Sequence, residues 1–223
     1  MILSKKLLIA STSLLAVFCL ESSFAQQNDV LPDYPNSYEI VRNIVDFPEG
    51  RSMGSGNAID VDSKGNIWVF ERCGGNNGAC PESDVDPVLQ FSPGGDLLFS
   101  FGSGMFVWPH GVVVDDDDNL WLIDAGIIEG EKGNQIFKFT PEGELLLVLG
   151  EPGIRGDAPG EFNEPSDLAI GADGSLYIVD GHINPESNRR IVHMTADGQF
   201  IEAWGEKGYG PLQFEGPHAI AVD

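Results

Sequence analysis

The sequence predicts an all-β fold assembled from repeated four-stranded units. Three observations carry that prediction. The stretch Trp108-Pro109-His110-Gly111-Val112-Val113-Val114-Asp115 recurs as Gly216-Pro217-His218-Ala219-Ile220-Ala221-Val222-Asp223, with weaker copies at 56–62 and 165–171. Aligned on the residue that closes each apolar run (Asp62, Asp115, Gly171, Asp223), the copies are 53, 56 and 52 residues apart. A step near 50 residues marks a repeat architecture. Between the copies lie short runs rich in β-branched and aromatic residues, separated by Gly, Pro and Asp turns, and no helical period of useful length.

Each repeat reads as four antiparallel strands. In the first, strands are expected at 58–62, 66–71, 88–92 and 96–101, with turns at Lys64-Gly65 and Pro93-Gly94-Gly95. In the second they fall at 110–115, 119–124, 135–140 and 144–149, turning at Asp116-Asp117-Asp118 and Pro141-Glu142-Gly143. The third runs 167–170, 175–180, 190–195 and 199–204. Residues 218–223 supply the first strand of a fourth. Four antiparallel strands per repeat describe one blade of a β-propeller. A blade cannot bury both faces of its sheet alone, so blades pack side by side, with Val112, Val114, Leu120 and Leu122 in the core between them. The chain holds about three and a quarter blades, and a closed ring needs at least four. It is therefore expected to be a fragment of a propeller that is six-bladed when complete.

Upstream of the repeats, residues 1–25 read as a secretory signal peptide. Lys5 and Lys6 precede an apolar run at 7–20, and Ser23-Phe24-Ala25 offers a small-x-small cleavage site. Residues 26–48 read as a polar leader followed by one alternating strand at 38–47, and 49–223 as the partial propeller. The protein is thus expected to be secreted or periplasmic, with no membrane segment once the signal is removed. A formal charge of −23 repels phosphate backbones and argues against a nucleic-acid partner. The protein is expected to act as a monomer on a small-molecule or peptide substrate. Cys73 and Cys80 flank a Gly/Asn-rich loop, and in an oxidising compartment a local disulfide is expected, the alternative being a pair of thiols.

Four residues occupy the same place at the start of each first strand: Asn57, His110, Ser166 and His218. Histidine appears in alternate blades, which stand about 120° apart in a six-bladed ring. Histidines there converge on the axis, as the three imidazoles of a catalytic zinc site do. A third is then expected roughly 100 residues beyond His218 if the blade period continues. The alternative is a turn histidine bonded to backbone. The far end of each second strand lies beside the beginning of the first, which places Arg72, Ala125 and His182 on the same face. Arg72 can hold a carboxylate in bidentate fashion. His182 is a candidate general base or substrate contact; a surface-loop histidine is the competing reading. Glu71, Asp124 and Asp180 share one blade position and read as hairpin braces. The 115–118 acidic run reads as a solvated turn.

The run Ile59-Asp60-Val61-Asp62-Ser63-Lys64-Gly65-Asn66-Ile67-Trp68-Val69 and its copies resemble the NHL repeat. Over roughly residues 50–223 the chain resembles the peptidyl-α-hydroxyglycine α-amidating lyases. The resemblance implies a six-bladed propeller holding zinc on three histidines and a structural calcium, which cleaves a peptidyl hydroxyglycine into a peptide amide and glyoxylate. Trp68-Val69-Phe70-Glu71-Arg72 matches the segment of the substrate-binding arginine, so Arg72 inherits that role. His110 and His218, each after proline, match two zinc ligands. The backbone carbonyls of Ile59 and Val112 fall where the family holds calcium. Asp180-Gly181-His182 stands where the family has Asp-Gly-Tyr, so His182 replaces its catalytic tyrosine. The leading expectation is an exported zinc-dependent lyase of this type, or a relative acting on another small substrate. The alternative is a non-catalytic NHL propeller that binds peptide or glycan.

Overall fold

The computed structural model describes residues 38–39, 41–42, 44–47, 49–74 and 80–223. The signal-peptide and most of the leader expectations lie outside the described residues. Contacts divide the chain into 1–40 and 41–223, and every element below belongs to the second unit.

Twelve of its strands form three four-stranded antiparallel sheets, each in simple up-and-down order. The first contains β1 (Gly56–Val61), β2 (Ile67–Glu71), β3 (Val88–Phe91) and β4 (Leu97–Phe101). The second contains β5 (Pro109–Val114), β6 (Leu120–Ile128), β7 (Lys132–Phe139) and β8 (Leu145–Leu149). The third contains β9 (Pro165–Ile170), β10 (Leu176–Gly181), β11 (Arg189–Met194) and β12 (Phe200–Trp204). No helix occurs among the described residues. This is a partial β-propeller of three blades.

The middle strands show why the blades stack. Side chains alternate across a sheet, and β6 presents Leu120 and Leu122 to the first blade, Trp121 and Ile123 to the third. Leu120 and Leu122 pack with Trp68, Phe70, Val112, Phe137 and Phe139. Trp121 and Ile123 pack with Leu168, Leu176, Ile178 and Val192. A strand buried on both faces reads as an unbroken apolar run, which is what Leu120-Trp121-Leu122-Ile123 is.

The repeat signature has a physical content at the β1–β2 and β5–β6 turns. Asp62 Oδ1 accepts the Asn66 N–H at 2.8 Å, and its Oδ2 accepts Asn66 Nδ2 at 2.8 Å and Trp68 Nε1 at 3.3 Å. Asp115 does the same for the Asn119 N–H at 2.9 Å and for Trp121 Nε1 at 3.2 Å. The turn, the next strand and its buried tryptophan are thus locked by one carboxylate. Glycine and serine replace this pair in the third blade, where Gly171 and Ser175 close the turn.

Four departures from the expected elements have local causes. The strand expected at 38–47 is replaced, in its described part, by an isolated bridge from Asp46 to Asp96; Val45 and Phe47 pack against Val69, Leu89 and Phe91 of the first blade, whereas Val41 stays exposed. The β6–β7 hairpin is longer than expected, because Ile127 and Ile128 pair with Gly133 and Lys132 beyond an irregularity after Asp124. Residues 216–223 form no strand: a first strand pairs only with its own second strand, and they have no such neighbour among the described residues. Asp167 instead takes the Ile220 N–H at 2.9 Å. Finally, β13 (Glu206–Lys207) and β14 (Gln213–Phe214) make a small parallel pair ahead of that segment.

Candidate metal centre

His110 is the second residue of β5, and its position is set from both sides. Before it, the Val107 and Trp108 N–H groups donate to the buried Asp124 carboxylate at 2.8 and 2.6 Å. Across the blade boundary, its Nδ1 lies 2.7 Å from the Ser166 carbonyl. A neutral imidazole that donates from Nδ1 carries its lone pair on Nε2, the arrangement in which a carbonyl orients a metal-binding histidine.

His182 directly follows β10. Gly181 has φ 150°, and a Cβ there would sit 1.9 Å from the Asn188 carbonyl oxygen, so only glycine fits. The chain then turns through 183–188, where Ser187 Oγ accepts the His182 N–H at 3.0 Å and lies 2.8 Å from the His182 carbonyl. His218 arrives on the segment that Asp167 holds.

These three loops converge. The ring centroids of His110 and His182 are 5.1 Å apart, and His218 lies 4.8 Å from each. Their candidate ligand nitrogens all fall within 4.8 Å of one another, and no other group of three ligating residues forms among the described residues. The remaining histidine, His193, is on β11 beside Glu202. A tetrahedral zinc with Zn–N near 2.0–2.1 Å asks for nitrogens roughly 3.3–3.5 Å apart. Trp108 forms one wall, 5.5 Å from the His110 ring and 5.1 Å from that of His182. The Arg72 guanidinium lies over its indole, 4.8 Å from the ring centre, while Arg72 Nε donates to the Pro109 carbonyl at 3.2 Å.

Electrostatics favour the neutral form of His110 and His182. Burial pushes the His110 pKa down to about 4, with the charges of His218, His182 and Arg72 adding to the shift and the Ser166 carbonyl opposing it. Burial also lowers His182, followed by the effects of His218, Arg72 and Arg189. Neutral imidazole is the form that ligates metal.

His110, Ser166, Asp167 and His218 line a cavity of about 340 Å³ together with Ile59 and Val112. The two positions expected at calcium therefore share a cavity with His110 and His218. A larger cavity of about 570 Å³ lies at the far end of β5, between Asp115, Lys138 and Gly171; the histidines are not part of it. Cys73, next to Arg72, is disulfide-bonded to Cys80 with their Cα atoms 5.5 Å apart.

The structure thus brings His110, His218, His182 and Arg72 to one place. From the sequence, His182 is a candidate general base or substrate contact, and the third imidazole is expected beyond Asp223. The fold puts His182 itself beside the other two. Its offset of one residue past the second strand was the available signal. Ser166 and Trp108 were legible only as repeat positions.

Blades of antiparallel strands with a histidine cluster at one end define a propeller with a candidate metal centre. No family model matches the sequence. The chain is 32% identical over 188 residues to peptidyl-glycine alpha-amidating monooxygenase of Mus musculus, covering 81% of this chain and 17% of that protein. It is 32% identical over 171 residues to NHL repeat-containing protein 3 of Mus musculus, covering 74% and 45%. It is 27% identical over 195 residues to peptidyl-alpha-hydroxyglycine alpha-amidating lyase 1 of Drosophila melanogaster, covering 76% and 34%. The chain spans less than half the length of each of these relatives. Among solved structures it resembles a chain of the nidogen/laminin complex, at TM-score 0.50 and 16% identity over 77% of this chain and 52% of that one, a likeness of fold. The chain is a partial β-propeller that resembles NHL repeat-containing proteins and the peptidyl-α-hydroxyglycine α-amidating lyases.

Proposed function

We propose that the chain supplies the metal-binding part of a zinc-dependent carbon–nitrogen lyase centre, one that cleaves a peptidyl α-hydroxyglycine or a similar small substrate. The observation that carries this reading is the convergence of His110, His182 and His218 beside the Arg72 guanidinium. Three imidazoles would hold zinc and leave one ligand place for a substrate oxygen. Bound zinc supplies Lewis acidity toward a substrate hydroxyl. Among the described residues the Arg72 guanidinium, which lies over Trp108, donates to protein from Nε alone, and its remaining donors orient a substrate carboxylate. In the cleavage the hydroxyl loses its proton as its carbon becomes a carbonyl, the C–N bond breaks, and the departing nitrogen gains a proton. The position of His182 supports a role as third imidazole over that of proton acceptor.

Calcium takes about 6–8 oxygen ligands. The Ile59 and Val112 carbonyls provide only part of such a set, so a calcium held there would draw its other oxygens from water and other residues. The Cys73–Cys80 disulfide supports an oxidising, extracytoplasmic compartment.

The test is the zinc content of the purified protein beside His110→Ala, followed by an assay for glyoxylate release. The expected result is about one zinc per chain, lost in the variant. A well-folded protein that takes up no zinc would remove the enzyme reading and leave a propeller that binds peptide or glycan through the same face.

A further inference from the structure

Two adjacent arginines on β11 do different things. Arg190 turns to the blade, donating from Nε to Asp180 Oδ2 at 2.7 Å. Arg189 is 6% exposed and has no carboxylate within salt-bridge distance among the described residues. A buried guanidinium is costly unless its donors are all satisfied, and every partner of Arg189 is a carbonyl or hydroxyl oxygen. Nε donates to the Glu215 carbonyl at 2.6 Å. Nη1 donates to the Ser187 carbonyl at 3.0 Å, the Asn188 carbonyl at 2.9 Å and the Ser187 hydroxyl. Nη2 donates to the Asn184 carbonyl at 2.7 Å.

These partners belong to two segments, one at 184–188 and the other at Glu215, 26 residues beyond Arg189. One is the 183–188 turn, whose Ser187 hydroxyl bonds the His182 backbone on both its N–H and carbonyl sides. The other is the approach to His218, since Glu215 lies three residues before it. We infer that Arg189 is a positioning residue for the histidine centre: its planar fork joins the His182 turn to the His218 segment and sets the spacing of the two imidazoles. The role needs a rigid planar group with donors on three sides, which lysine cannot reproduce. It rests on the proposed metal centre only for its consequence; the tie between the two segments stands on the geometry.

The experiment uses Arg189→Lys, with Arg155→Lys as the control loss of a guanidinium, since Arg155 pairs with Glu129 at 3.1 Å and touches neither histidine segment. Two readouts are taken: zinc affinity by chelator competition, and nuclear Overhauser contacts between the His182 and His218 rings in the metal-free protein. Arg189→Lys is expected to lose the ring contacts and to bind zinc about 10–100-fold more weakly, while Arg155→Lys keeps both. Retention of both properties by Arg189→Lys would overturn the inference. If Arg189→Lys does not fold, Ser187→Ala decides in its place: the same two losses support the tie, and no change overturns it. Should the wild-type protein bind no zinc, the proposed function fails by itself, and the ring contacts alone still judge Arg189.

Discussion

Asp124 accepts the backbone N–H of Trp108 at 2.6 Å, and so the carboxylate on β6 fixes the residue that walls the histidine centre. Glu71 and Asp180 occupy the same blade position and do the same job. Glu71 takes the Gly54 N–H at 2.6 Å, and Asp180 takes the Asn163 N–H at 2.8 Å. In each blade one buried carboxylate clamps the incoming loop to the end of the second strand. In the second blade that loop delivers His110.

The clamp carries a pH signature. Burial raises the Asp124 pKa to about 6, against the opposing effect of the Val107, Trp108 and Gly126 N–H groups. A folded-state pKa above the unfolded value means the native state binds the extra proton. That contribution is fully present below about pH 3.9 and is lost as pH rises through about 6, on the order of 3 kcal/mol in all. In Asp124→Asn the step vanishes, and one amide donor must face a backbone N–H, which costs about 1–3 kcal/mol. Urea midpoints of both proteins from pH 4 to 7 check this. The wild-type advantage should shrink across that range; an advantage that grew with pH would show the carboxylate to be favoured as the anion.

Zinc should stabilise the folded chain by mass action. At free zinc 100-fold above Kd the gain is about 2.7 kcal/mol, seen as a rise in Tm that a chelator reverses. His182→Ala is expected to forfeit most of that rise while the metal-free Tm changes little. A His182→Ala protein with the full zinc-dependent rise would return the third ligand position to another residue.

The blades were legible because their chemistry is periodic. Val112, Leu120 and Leu122 were expected between blades and pack there. Asp-x-x-x-Asn-x-Trp shows as a sequence pattern because one carboxylate must reach both partners. What escaped was set by loops and by contacts across blades. Asp118 was read as a solvated turn, yet it takes the Ser63 N–H and hydroxyl of the neighbouring blade, both at 2.7 Å. Strand alternation at 38–47 could not say whether a partner strand would be there. The path of 183–188, which turns His182 toward His110, depends on Arg189, Ser187 and Gly181 acting together, and no pairwise spacing reveals it.

The disulfide should matter to the site through its neighbour. Closing a short loop of this kind is worth about 2–3 kcal/mol on the chain-entropy model. Replacing Cys73 and Cys80 with serine is expected to lower stability by about that amount and to loosen Arg72, which adjoins Cys73. A double variant of unchanged Tm and unchanged substrate affinity would separate the bridge from the site.

Arg72 offers the sharpest division between binding metal and binding substrate. Its guanidinium lies over Trp108 and its Nε is held by the Pro109 carbonyl, so it is placed by the same loop that places His110 without being a ligand. Burial lowers its pKa from the ordinary arginine value, though a guanidinium stays charged at any pH where the protein folds. Arg72→Lys keeps the charge but loses the planar fork and the stacking. It should leave zinc content intact and lower kcat/KM for a carboxylate-bearing substrate by about 10–100-fold, the loss of one charged, bidentate contact worth about 1.5–3 kcal/mol. For the same substrate with its carboxylate amidated, wild type and variant should differ little. Equal losses on both substrates would mean that Arg72 shapes the Trp108 wall and does not read the carboxylate.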